Sequence, residues 1–399
     1  MVNNIKRGEI GFLKELKQLP RSIKLSTFLA FVYVIGWGVT NPFLPLFIQE
    51  KLGSYTNFGI IMFLFYIFAF LLDFPMGVFL EKVRPKKIMI VGFLLMMLIP
   101  LILLNSTLMW HFILFSLFHA IASITIWIAF ESYVRKHSPK NKEALAFGMY
   151  DAGIIAAFIL GALASGLLIY KIGFNIFYAI TITSFIAIFV LNFLPDKKKG
   201  ASLQSGLRNT LRLTAYRNEF RTFYKNKELM KMYVNIFLYR FSYGFLVLMI
   251  PLFFREIHAG YFLIGLIYAL LFLPAIFEPY YGLIKNKKRA VNLALIIIVF
   301  LFVAMFLIKS VYILFLLTVL VAIPFSLIYP IFQGRITQLM PKKKITEMNS
   351  ILYSTSHLAL GLGPLTAGIL ADLWGINIIF LMGAVMFLIL SLYNLGIEY

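Results

Sequence analysis

Arg240 stands inside a long apolar run, whereas the other Lys and Arg residues of the chain stand between such runs or outside them. A charged side chain in hydrocarbon costs from about 3 kcal/mol to several times that, so it faces a cavity or a partner. Arg240 is about eight residues, roughly 12 Å at the helical rise, inside its run, too deep to snorkel back to the interface. Glu131, near the end of one apolar run, and Asp151, early in the next, are the acids that match it. Arg240 can then anchor an anionic group of a solute, or an acid in one conformational state. Glu131 and Asp151 become candidate proton carriers, because burial and a nearby guanidinium act in opposite senses on a carboxyl group. A movement that changes their separation would load or release a proton. The alternative is a permanent ion pair with a structural role.

Aromatic and amide side chains at helical spacing suggest the rest of a pocket. Tyr33, Trp37 and Asn41 recur every four residues, as do His119, Ser123 and Trp127. Tyr239 and Tyr243 flank Arg240; Tyr329 and Gln333 share one run, Tyr353 and His357 another. Such a lining suits an amphipathic organic molecule better than a bare ion. With 42 Phe and 21 Tyr in the chain, the same stripes also serve as packing. Two acids, Asp73 and Glu278, each precede a glycine by four residues, Gly77 and Gly282. They read as parts of a state-dependent gate, as a proton site, or as interfacial partners of nearby Lys.

Other chemistries are missing. The five His residues show no paired metal-ligand spacing, so no metal site is expected. The absence of Cys removes thiolate zinc sites, iron–sulfur clusters and disulfides together. No Walker-type loop, Ser–His–Asp order or Gly-x-Ser-x-Gly elbow appears, so no cofactor, ATP coupling or catalytic residue is expected, and the chain does not read as an enzyme.

The elements that must position these residues follow from composition. The chain has 399 residues, 61% hydrophobic and 13% charged, which excludes a water-soluble enzyme and a disordered chain. Apolar runs of bilayer-crossing length predict twelve spans: 26–49, 56–80, 88–104, 111–133, 144–169, 175–194, 232–254, 262–283, 290–308, 312–335, 347–371 and 377–396. Lys and Arg alternate between the connections, 32 on one side and 4 on the other. That split predicts both termini cytoplasmic, in a multi-pass protein of the cytoplasmic (inner) membrane. It also accounts for the net charge of +21 without nucleic acid. The N-terminus lacks the pattern of a cleaved secretory signal. Residues 1–24 read as a basic amphipathic helix on the membrane surface or a solvated tail, and 195–231 as a basic linker containing a surface helix.

The chain also repeats itself. At an offset of 202 residues Gly161, Gly166, Gly173 and Asn175 meet Gly363, Gly368, Gly375 and Asn377. At 206, Gly38, Pro45, Glu50 and Gly59 meet Gly244, Pro251, Glu256 and Gly265. A half-chain period predicts two six-span halves, 1–194 and 232–399, joined by 195–231 and related by an axis along the membrane normal.

The loop between spans 2 and 3 runs Gly77-Val78-Phe79-Leu80-Glu81-Lys82-Val83-Arg84-Pro85-Lys86-Lys87, and a weaker copy runs from Gly282 to Arg289. It resembles the G-x-x-x-D-R-x-G-R-K pattern of the major facilitator superfamily, with Glu81 and Lys82 as conservative departures and Arg84-Pro85 in place of the Gly-Arg step. The resemblance extends over essentially the whole chain. It implies an all-α membrane fold of twelve helices, a cavity lined by spans 1, 4, 7 and 10, and a monomeric unit. It also implies a cytoplasmic gate, here Asp73, Gly77, Glu81, Lys82, Arg84, Lys86, Glu278 and Gly282. The Gly-Pro stretch of drug/proton antiporters is absent from span 5; the nearest look-alike, Gly361 to Gly368, lies in span 11. The expectation is a secondary active transporter that exports a small amphipathic solute against protons. Import or lipid export by the same fold, a non-transporting sensor, and a polytopic membrane enzyme are the alternatives.

Overall fold

The computed structural model describes residues 18–139, 142–195, 226–281, 284–340 and 345–397, with side chains except at 74, 77–82, 144, 279 and 345–350. The expected surface helices at 1–17 and in 196–225, Gly282, and the side chains of Glu81 and Lys82 therefore lie outside the described residues. The described regular structure is helical: α1 (Arg21–Thr40), α2 (Leu44–Leu52), α3 (Tyr55–Lys82), α4 (Pro85–Leu104), α5 (Met109–His137), α6 (Glu143–Ile172), α7 (Tyr178–Leu191), α8 (Lys227–Val247), α9 (Ile250–Glu256), α10 (Tyr261–Phe272), α11 (Glu278–Tyr281), α12 (Lys287–Leu307), α13 (Val311–Leu339), α14 (Ile345–Trp374) and α15 (Ile378–Leu395). Tight 3₁₀ turns join α6 to α7 and α10 to α11.

Ten helical stretches are long and apolar enough to cross a membrane, and Tyr261–Phe277 is a shorter apolar one. One of the ten, Leu145–Leu191, contains α7 and all but the first two residues of α6. Large apolar side chains such as Phe185, Phe300 and Leu307 point outward, as lipid-facing residues do. The chain is a multi-pass membrane protein.

Two helices start earlier than the sequence suggested. α1 begins at Arg21, directly after Pro20, and takes in Lys24. α8 begins at Lys227, where the Asn226 side chain caps it by accepting from the backbone N–H of Leu229 at 3.1 Å.

Spans 1 and 7 are each broken once, and the break has a cause in the repeat. Pro45 sits in the first turn of α2 and Pro251 in the first turn of α9. Neither ring nitrogen can donate to a carbonyl one turn back, so the helix ends before it and restarts with proline where its missing N–H does no harm.

Packing follows the same repeat. In the first half α1 packs on α6 and α7, and α5 on α3 and α4; in the second, α8 packs on α14 and α15, and α13 on α10 and α12. The matching glycines make the closest crossings. A Cβ on Gly161 would come 2.6 Å from the Ile35 carbonyl oxygen and 2.8 Å from Gly38; one on Gly363 would come 2.5 Å from the Phe241 carbonyl oxygen. Between the halves α3 packs on α14, and α6 on α10. The connections 83–86, 137–139, 142, 192–195, 226, 286–288 and 339 form one end of the bundle with residues 18 and 395, which we call the terminal end. Residues 51–55, 256–261 and 372–375 form the far end.

Candidate functional site

A cavity of about 250 Å³ lies between the halves. From the first half it is lined by Trp37 and Asn41 of span 1, Phe65 and Tyr66 of α3, His119, Ser123 and Trp127 of α5, and Ile154 and Phe158 of α6. Tyr243, Val247 and Leu248 of span 7, Tyr268 and Phe272 of span 8, and Leu360 of α14 line it from the second. The helix breaks set by Pro45 and Pro251 open onto it, since Asn41 and Leu44 flank one and Val247 and Leu248 the other.

Among the described residues the lining contains no Asp, Glu, Lys or Arg. Charged and titratable groups come one to three turns nearer the terminal end, on the same spans. Glu131 follows Trp127 by four residues, Asp73 follows Tyr66 by seven and Glu278 follows Phe272 by six. On helices running the other way, Asp151 precedes Ile154, Arg240 precedes Tyr243 and His357 precedes Leu360, each by three. Every one of these six spans therefore contributes an uncharged wall residue and, beneath it, one member of a titratable layer.

Two members of the layer join the halves through α14. His357 Nδ1 lies 2.6 Å from Asp73 Oδ2, and Tyr353 Oη donates to Glu131 Oε1 at 3.2 Å. The Arg240 guanidinium lies over the Tyr329 ring, 3.8 Å from its centre, and its buried Nε has no hydrogen-bond partner among the described residues. Arg240 and Asp151 are both electrostatic neighbours of Glu278.

The far end is closed by backbone contact. A Cβ on Gly59 would come 2.5 Å from the Pro364 carbonyl oxygen, and one on its repeat mate Gly265 would come 2.7 Å from the Ala162 carbonyl oxygen. Asp372 accepts from the backbone N–H groups of Tyr55 and Thr56, and Tyr55 Oη donates to Glu256 at 2.9 Å. The Phe43 ring meets Tyr261 edge-on at 5.7 Å.

Of the pocket residues expected from sequence, Trp37, Asn41, His119, Trp127 and Tyr243 reach the cavity wall. Tyr33 sits behind it, fully buried against Phe93 and Trp127, and its hydroxyl accepts from Trp37 Nε1 at 2.7 Å. Tyr239 is packed, its hydroxyl donating to the Phe325 carbonyl at 3.0 Å. Arg240, Tyr329, Gln333 and His357 lie outside the wall, three of them joined in pairs as above. Among the expected gate residues, Asp73 reaches across the halves, whereas Lys86 donates to the carbonyls of Asn192 and Leu194 at the end of span 6, in its own half. Lys288, its repeat mate, donates likewise to Leu395 at the end of α15. Both satisfy helix C-terminal carbonyls, where positive charge is favoured. Arg84 precedes α4 at its N-cap. Asp372 and Tyr55 were not singled out from sequence, and Glu256 only as the repeat match of Glu50, because nothing local marks residues that meet across the halves. Among the described residues no group of His, Asp and Glu could hold a metal ion.

The fold is shared with solved structures of low sequence identity. The chain is similar to the human organic anion transporter MFSD10 (TETRAN), at 15% identity and TM-score 0.68, over 94% of this chain and 100% of that one. It is similar to a bacterial homologue of the human lysosomal transporter Spinster in its inward-facing, unoccupied conformation, at 14% identity and TM-score 0.74, over 94% and 95%. A POT family transporter in complex with 5-aminolevulinic acid aligns at 14% identity and TM-score 0.75, over 94% and 96%. No curated protein sequence matches the chain. The family model described as Major Facilitator Superfamily matches residues 26–277 and 232–397. The chain therefore belongs to the major facilitator superfamily.

Proposed function

We propose that the protein is a secondary active transporter that moves a small amphipathic organic solute by alternating access, coupled to protons and in the direction of efflux. Its twelve crossings form two six-helix halves, 1–194 and 232–399, joined by the basic linker 195–231. Both termini and the terminal end face the cytoplasm, and the working unit is a monomer in the cell membrane. The observation that carries the reading is the cavity whose walls come from both halves, with backbone contact closing it at the far end and a titratable layer beneath it. A site shared between two packed halves changes its access when the halves rock. Its mixture of aromatic and few polar groups suits an organic solute. Family membership and neighbours that include an organic anion transporter and a POT family transporter support a small-molecule substrate.

Within this reading Glu131 and Asp151 carry protons, and Arg240 holds the layer's electrostatic balance or pairs with an acid in the other state. Asp73–His357 and Glu131–Tyr353 serve as gate contacts that break and re-form. Purified protein in proteoliposomes with an internal pH dye tests the proposal under an imposed pH gradient. Amphipathic compounds should trigger proton movement in the wild type, and Glu131→Gln or Asp151→Asn should abolish it. Acid variants that carry protons as the wild type does would remove those residues from coupling; absence of any solute flux would remove transport.

A further inference from the structure

His119 is a buried polar residue that the protein itself does not satisfy. Its ring is stacked between two others, with centres 4.5 Å from Trp37 at an interplanar angle of 13° and 4.2 Å from Phe65 at 25°. Only 6% of the residue is exposed, and that part lines the cavity. Stacking occupies both faces of the imidazole and leaves its edge, where the two nitrogens are. Among the described residues neither nitrogen has a hydrogen-bond partner, and Asn41 and Ser123 on the same side of the cavity make no side-chain hydrogen bond either. These groups border the cavity, so their hydrogen-bond partner is whatever enters it, water or solute. The opposite wall is apolar and phenolic.

Among the described residues neither wall carries a charged side chain. A ligand whose ionised group lay in the cavity would be desolvated there without a counter-ion in direct contact, since the Arg240 guanidinium lies behind the wall, 6.0 Å from the centre of the Tyr243 ring. Flat rings on one side, a hydrogen-bonding edge on the other, and no charge describe a ligand by complement.

We propose that the cavity binds an uncharged, planar aromatic substrate, or the uncharged aromatic part of one, and that His119, held between Trp37 and Phe65, hydrogen-bonds to its polar edge. This takes from the transport reading only that the cavity is the solute site. The titratable layer then serves movement of the halves rather than recognition.

The chain's four tryptophans make the test direct. With Trp110→Phe and Trp374→Phe, the two that remain, Trp37 and Trp127, both line the cavity. Three probes share one ring that quenches tryptophan fluorescence: p-nitrobenzyl alcohol (neutral), p-nitrobenzoate (anionic) and p-nitrobenzylamine (cationic). In nanodiscs the alcohol is expected to quench saturably, at a concentration at least tenfold below either charged probe. His119→Leu should raise that concentration at least tenfold, and His119→Gln, which keeps a donor and an acceptor, should raise it less than threefold. Equal or tighter binding of a charged probe would overturn the proposal, as would unsaturable quenching by all three or unchanged binding of the alcohol to His119→Leu. The charge comparison uses an intact His119, so it does not depend on how the variants fold. Saturable binding of the alcohol in a protein that moves no solute in proteoliposomes would retire transport and leave the ligand class standing.

Discussion

Asp372, in the last turn of α14, caps the N-terminus of α3 from the opposite half: its two carboxylate oxygens accept from the backbone N–H of Tyr55 at 3.0 Å and of Thr56 at 2.8 Å. The first N–H groups of a helix have no partner within it, and an acid beside them is favoured by the helix dipole. Here the cap also fastens the far end shut, because cap and helix belong to different halves.

Asp372→Ala is therefore expected to weaken far-end closure by about 1 kcal/mol, a typical value for loss of an N-cap, which is roughly a fivefold change in the ratio of closed to open states. Accessibility of a single cysteine at Leu52, introduced into this cysteine-free chain, would report it. Unchanged labelling rates would show that the cap does not hold the seam.

A methyl group separates two classes of glycine. Gly59 meets the Pro364 backbone, so Gly59→Ala must push α3 off α14 at the far end. Gly334 has open space where its Cβ would lie. Gly59→Ala should cut transport at least tenfold and leave the far end accessible to aqueous label, while Gly334→Ala stays within twofold of wild type. Equal effects at the two positions would contradict the seam.

Arg240 and Tyr329 form a stacked pair, with the guanidinium 3.8 Å from the ring centre. A lysine keeps the charge and loses the flat face, so the two are not interchangeable at a stacked site. Arg240→Lys should therefore resemble Arg240→Ala in transport rate, Tyr329→Phe should preserve most activity, and Tyr329→Leu should lose it. Full rescue by lysine would mean that charge alone matters there.

Three asparagines join spans 7, 9 and 12: Asn235 Nδ2 donates to Asn394 Oδ1 at 2.9 Å, and Asn394 Nδ2 to Asn292 Oδ1 at 2.6 Å. Asn394→Leu removes the middle of the chain and should destabilise the protein by about 1–3 kcal/mol for each buried group left unpaired. Asn192, its repeat mate, is exposed, and Asn192→Leu should change stability by less than about 0.5 kcal/mol. Thermal unfolding of both variants in one detergent makes the comparison; matched melting temperatures would count against the asparagine chain.

How much of this was legible in the sequence depends on the range of the interaction. Helices set by twenty apolar residues were placed within a few residues, and the early starts at Arg21 and Lys227 arise because interfacial charge does not end a helix. The repeat glycines were visible as matching letters; that Gly38 meets Gly161 comes from packing. Pro45 and Pro251 carried the helix breaks in plain view, through the missing N–H. Tyr33, Trp37 and Asn41 look like one face, but residues four apart drift by about 40° around the helix, so Tyr33 and Asn41 are about 80° apart. Trp37 and Asn41 reach the cavity while Tyr33 turns to Phe93. Asp73 with His357 and Asp372 with Tyr55 are separated by 284 and 317 residues, and no local pattern encodes such pairs.

Reciprocal motion of the two ends is the central claim. Spin labels at Lys51 and Leu373 span the far-end seam, and labels at Glu143 and Gln338 span the terminal end; all four residues are exposed. Pulsed electron paramagnetic resonance distances in nanodiscs, with and without a transported solute and at acidic and alkaline pH, should show one pair lengthening as the other shortens. Distances that stay fixed at both ends, or that lengthen together, would contradict alternating access.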